Sequence, residues 1–138
     1  MFRTMLCALG LLFVWGTARA EPETWRGQIH CIVVPGLQTI PLVGTFVVVA
    51  NGASLTYSRP VHVADSASPS GVTETGSGSL VGTEIKIQGG AADKDYSYTA
   101  SYAGRMEGNA ASLTGEQVWT ARKLAQPFHR SCSIALTR

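Results

Sequence analysis

From Thr24 onward, apolar and polar residues alternate in short runs, the pattern of strands with one buried face. The clearest case is Asp95 to Trp119. There Tyr96, Tyr98, Ala100, Tyr102, Gly104 and Met106 fall on one face. Asp95, Ser97, Thr99, Ser101, Ala103, Arg105 and Glu107 fall on the other. Gly108 to Ser112 supplies a Gly-Asn turn, and the return run carries Leu113, Gly115, Gln117 and Trp119 on one side. This predicts a long β-hairpin with one wet face.

The same reading extends along the chain. Thr24–Val34 predicts a first strand with Trp25, Gly27, Ile29, Cys31 and Val33 on one face. Pro41–Ala50 is β-branched and apolar on both faces, which predicts a strand buried on both sides or a dimer edge. Asn51-Gly52 predicts a two-residue hairpin leading into Ser54–Arg59, with Val61-His62-Val63 as a short edge-like continuation after Pro60. Asp65–Thr75 predicts a mobile loop or irregular edge. A strand is expected over Gly78–Gln88, then an exposed turn from Gly89-Gly90 through Asp93-Lys94-Asp95. The last strand is expected over Phe128–Thr137, with Phe128, Arg130, Cys132, Ile134 and Leu136 on one face. Helical spacing is sustained nowhere after the leader. Seven or eight strands with short connections predict an all-β domain, a small antiparallel up-and-down barrel, with a β-sandwich as the alternative.

The N-terminus reads differently. Arg3, the apolar run Met5–Gly16 and Ala18-Arg19-Ala20 have the order of a secretory signal peptide over residues 1–20. Residues 21–138 then form a single domain, and no later run is long and apolar enough for a transmembrane helix. Cys7 belongs to the leader, which leaves Cys31 and Cys132 as a pair. In a periplasmic or secreted protein such a pair predicts a disulfide joining the first and last strands. It would make the chain ends neighbours, as closure of a meander requires, and that favours the barrel.

Charge narrows the partners. Two of the eleven Lys and Arg, Arg3 and Arg19, lie in the leader, and without them basic and acidic residues are equal in number. No basic run supports a nucleic-acid partner or a polybasic membrane contact. His30, His62 and His129 form no i, i+2 pair, and only His30 and His129, flanking the cysteines, are worth testing for proximity. Two cysteines make no zinc site, so no metal or cofactor is expected. The glycine-rich run from Glu74 to Gly82 lacks the lysine of a phosphate loop, and inward-facing glycine in a tight strand accounts for it. No serine is framed as a nucleophile and no acid/base carboxylate pair stands out, so an enzyme is not expected.

The informative residues are Tyr96, Tyr98, Tyr102, Gln117, Trp119 and Arg130. If their shared face points inward, they give aromatic walls with a few polar handles. Arg130 shares a face with Cys132 and Ile134, where a charge needs a partner or a ligand. The Gly-punctuated, Tyr/Trp-bearing meander resembles the avidins and lipocalins in architecture alone, and no ligand residue of theirs is carried over. The leading expectation is a binding module for a small apolar or amphipathic ligand or a glycan. The alternative is a secreted inhibitor or adaptor docking a protein partner through its loops.

Overall fold

The computed structural model describes residues 16, 20–62 and 70–138. The predicted signal peptide therefore lies almost wholly outside the described residues, as do residues 65–69 of the Asp65–Thr75 segment. Eight strands follow in chain order: β1 Glu23–Cys31, β2 Leu42–Asn51, β3 Ser54–Pro60, β4 Thr73–Val81, β5 Glu84–Ala92, β6 Tyr96–Glu107, β7 Ala110–Ala121 and β8 Phe128–Thr137. No helix occurs among the described residues. Each strand pairs antiparallel with its sequence neighbour, and β8 returns to β1 to close the barrel. Closure removes the free edges that a sheet otherwise exposes.

The expected strands and the barrel are borne out, with local corrections. The single strand expected over Gly78–Gln88 is two, β4 and β5, joined at Gly82-Thr83 with Gly82 at φ 61°. Gly89-Gly90 is not a turn. It lies inside β5 opposite Thr99 and Ala100 of β6. The hairpin at Asn51-Gly52 is shifted by one residue, because Asn51 pairs with Ser54 and the loop is Gly52-Ala53. The Gly108–Ser112 turn shortens to Gly108-Asn109, since Glu107 pairs with Ala110. Val61 and His62 are not strand, whereas Thr73–Thr75 are. β2 is neither doubly buried nor an edge. It lies between β1 and β3, and its outer residues Val43 and Val49 face solvent.

The two ends of the barrel differ. One end has three two-residue loops, each opening with a glycine in the left-handed region (Gly52, Gly82 and Gly108), together with the outer ends of β1 and β8. Only glycine enters that region without steric cost. The other end carries every longer connection, including residues 32–41 and 122–127.

The filling follows the ends. On the side of the short loops, Trp25, Val48, Leu55, Leu80, Ile85, Ile87, Met106 and Leu136 leave a space of only about 10 Å³. That is room for no more than about one water, so this end is sealed by apolar packing. Toward the other end the interior turns aromatic and polar.

Cys31 and Cys132 are register partners with Cα atoms 4.1 Å apart, and their disulfide spans 101 residues of sequence. It fastens the one strand pair whose members are far apart in the chain, where loop closure is entropically most costly. Changing both cysteines to serine is expected to lower stability by about 2–5 kcal/mol in chemical denaturation. An unchanged midpoint on reduction, with the wild-type bond shown to be present, would mean that closure does not depend on it.

Candidate functional site

β4 enters the barrel with Glu74 pointing inward, and the side chain is fully buried. Strand alternation sets this direction, because Thr73 and Thr75 face out. The next inward positions, Gly76 and Gly78, bear no side chain. A Cβ at Gly76 would lie 2.2 Å from a Tyr57 ring carbon, and one at Gly89 would lie 2.2 Å from the Tyr57 hydroxyl oxygen. These glycines make the space into which β3 projects the Tyr57 ring. The expected role of the glycine-rich run, backbone kept bare on the inside, is what β4 shows.

Glu74 is the hub of a hydrogen-bond network. Its Oε1 accepts from the Tyr57 hydroxyl at 2.8 Å and from the Tyr102 hydroxyl at 3.1 Å. Its Oε2 accepts from the Tyr98 hydroxyl at 2.7 Å and pairs with Arg59 Nη2 at 2.5 Å. Gln117 Nε2 lies 3.5 Å from the same oxygen. Arg59 is the cross-strand register partner of Glu74, so the ion pair is set by the β3–β4 register. A buried carboxylate is tolerated when charge and hydrogen bonds compensate it, and here both oxygens are occupied.

A second group of residues sits on β6, β7 and β8. Gln117 is opposite Arg130, and Trp119 is opposite Tyr98. Gln117 Nε2 donates to the Tyr102 hydroxyl at 2.8 Å, while Trp119 Nε1 donates to Gln117 Oε1 at 3.0 Å. The Trp119 ring is stacked with Tyr98 at 4.3 Å and with Tyr96 at 5.3 Å between centroids. The Arg130 guanidinium lies 5.7 Å from the Trp119 ring centre, within cation–π range. At the sealed end the Arg138 guanidinium lies over the Trp25 ring, 5.1 Å from its centre.

Arg130 is 1% exposed yet forms no ion pair with a carboxylate among the described residues. Its Nε donates to the Ile32 carbonyl at 2.7 Å, and Nη1 reaches Gln117 Oε1 only at 3.5 Å. Nη2 has no partner, and neither has Arg59 Nε. The buried charged residues among those described are Arg59, Glu74 and Arg130. Two guanidiniums are thus enclosed with one carboxylate.

The titration properties follow. Burial works against the charge of Arg59, but Glu74 beside it, helped by Tyr98 and Tyr102, outweighs burial and raises its pKa. Burial and the like charge of Arg59 push Arg130 down to about 10, so it is still a cation at neutral pH. Burial, and then the Glu74 carboxylate, hold the hydroxyls of Tyr57, Tyr98 and Tyr102 well above the usual tyrosine range.

All six predicted site residues, Tyr96, Tyr98, Tyr102, Gln117, Trp119 and Arg130, face inward and lie in this one region. Three further members, Tyr57, Arg59 and Glu74, were not foreseen. Leu55, Tyr57 and Arg59 alternate with Ser and Thr, a signal that could have placed Arg59 inside. Glu74 was hidden because glycines occupy the next two inward positions, so its run reads as loop. The histidines do not converge. His30 is opposite Ser133, while His129 is opposite Val118 and lies 3.1 Å from Glu116 at the surface. No group of three or more His, Cys, Asp or Glu capable of holding a metal occurs among the described residues. The chain matches no protein-family model, no curated protein and no solved structure.

Two measurements test the network. Glu74→Gln would leave two buried guanidiniums without a counter-charge among the described residues, and is expected to cost about 3–5 kcal/mol of stability. Adding Arg59→Met to it should recover part of that loss, because the enclosed charge returns to its wild-type excess. The tyrosines give a pH test. A tyrosine whose folded pKa is raised contributes fully below the unfolded value near 10 and is lost as pH rises past it. Arg130, with its folded pKa lowered, acts in the opposite sense, but three tyrosines oppose one arginine. Stability should therefore fall above about pH 10. Tyrosinate absorbance from Tyr57, Tyr98 and Tyr102 should appear only with unfolding, and a gradual rise in the folded state would contradict the network.

Proposed function

We propose that the protein is a non-enzymatic binding barrel, secreted or periplasmic, that holds a small apolar or amphipathic ligand at its aromatic tier. The observation that carries this reading is the pairing of a stacked wall, Tyr96, Trp119 and Tyr98, with buried donors that the protein itself does not satisfy. Binding sites of this kind combine apolar walls with a few convergent polar groups. Packing alone does not call for a buried guanidinium nitrogen without a partner, such as Arg130 Nη2, since a buried unsatisfied donor is costly.

The position of the tier supports the same reading. It lies toward the end with the longer connections, and loops carry the adaptable part of a binding site on a rigid scaffold. The sealed opposite end supplies the rigidity. The disulfide supports an oxidising compartment, and the leader-like sequence of residues 1–20 supports export.

Native mass spectrometry of the oxidised protein, purified gently from cells that export it, tests the proposal. A reproducible small-molecule adduct is expected, and it should be lost in Trp119→Leu molecules that keep the disulfide and the near-ultraviolet dichroism of the remaining aromatics. A clean mass with no adduct would favour the docking scaffold.

A further inference from the structure

We propose that the ligand carries a single carboxylate, and that this group seats on Arg130. The inference rests on the binding function proposed above and names the class of molecule bound at the same place.

Charge counting comes first. Among the described residues the interior holds Arg59, Arg130 and Glu74, one positive charge in excess. Glu74 has no capacity left for Arg130, because three tyrosine hydroxyls and Arg59 already occupy its two oxygens. An enclosed charge without a counter-charge is unfavourable even after the surroundings relax. One monoanion would balance these three side chains. A phosphate, with its second charge, would overshoot, so a carboxylate fits better.

Geometry agrees. The guanidinium is a planar fork of five donors. The Ile32 carbonyl takes Nε, which fixes the plane and leaves the Nη1–Nη2 end. Nη2 is unpartnered and Nη1 has only the long contact with Gln117. Two parallel N–H donors on one end match the two oxygens of a carboxylate.

The surroundings define the rest of the ligand. Val34, Val61, Tyr96, Tyr98 and Trp119 pack on one another as one buried cluster on this side of the barrel. A ligand body seated here takes over part of that apolar and aromatic packing, so it is a compact hydrocarbon or aromatic group. The expected ligand is a short amphipathic acid, with its carboxylate on Arg130 and its body against Trp119 and its neighbours.

Calorimetric titration of the oxidised full chain with matched acid and amide pairs decides the matter. The probes are benzoate against benzamide and octanoate against octanamide. The acids are expected to bind roughly tenfold tighter or more, as charge-assisted hydrogen bonds do. Arg130→Met should erase that preference while leaving the protein folded, as removal of an unpaired buried charge allows. Arg130→Lys, which keeps the charge but loses the fork, should keep a reduced preference. It serves in its place if the Met variant does not fold. Equal binding of acids and amides would overturn the carboxylate while leaving the binding function standing. An acid preference unchanged in either variant would overturn the role of Arg130. No binding by any probe, with no adduct in native mass spectra, would overturn both proposals.

Discussion

The buried carboxylate of Glu74 is the constraint to which the upper half of the barrel conforms. A carboxylate taken out of water must be matched by donors from several directions. Here they come from three strands besides its own: Tyr57 and Arg59 on β3, Tyr98 and Tyr102 on β6, and Gln117 at longer range on β7. Those strands are held in one register by a requirement that apolar packing alone does not impose. A slip of one residue in β4 would turn Glu74 outward and leave Arg59 and three hydroxyls unmatched. The bare inner positions at Gly76 and Gly89 belong to the same constraint, since they admit the ring that carries one of the donors.

The two halves of the interior are filled by different physics. The half beside the short loops, lined by aliphatic side chains, Met106 and Trp25, is non-directional and nearly void-free. Its stability comes from area removed from water, and it tolerates conservative apolar exchange. The polar half is directional. Each hydrogen bond there fixes an orientation, and loss of one partner strands another group. Such a division suits a scaffold in which one end supplies stability and the other carries groups held at some cost.

Much of this was legible from alternation alone. β6, β7 and β8 carry unbroken period-two patterns, so the face that holds Tyr98, Gln117 and Arg130 can be read as one set, and in the barrel that face points inward. The barrel followed from the disulfide, because Cys31 and Cys132 lie on the first and last strands and must meet. The errors cluster where glycine replaces a side chain. Gly82 ends β4 by its backbone conformation, without Pro or Asp to announce a turn, so two strands read as one. Gly89 and Gly90 looked like a turn but sit where neighbouring groups approach closely. Glu74 suffered most. With glycine at the next two inward positions, its strand carries too little apolar signal to place the residue inside. A buried acidic residue is also improbable until its partners are known, and those partners come from β3 and β6, outside any local window.

The disulfide and the unmatched arginine are parts of one device. Arg130 precedes Cys132 by two residues on the inward face of β8, and its Nε bonds the carbonyl of Ile32, the residue that follows Cys31. The covalent link thus holds together the strand that bears the guanidinium and the segment that orients it. Without it, the β1–β8 seam would have to be kept in register by non-local pairing alone, at the place where an unpaired charge is enclosed. Repulsion between Arg59 and Arg130, and the desolvation that pushes Arg130 down to about 10, both favour opening of that region. A staple close by, across strands 101 residues apart in sequence, opposes them. The barrel can therefore keep a buried guanidinium with one unpartnered nitrogen, a state that a barrel closed only by hydrogen bonds would tend to relieve by repacking the arginine toward water.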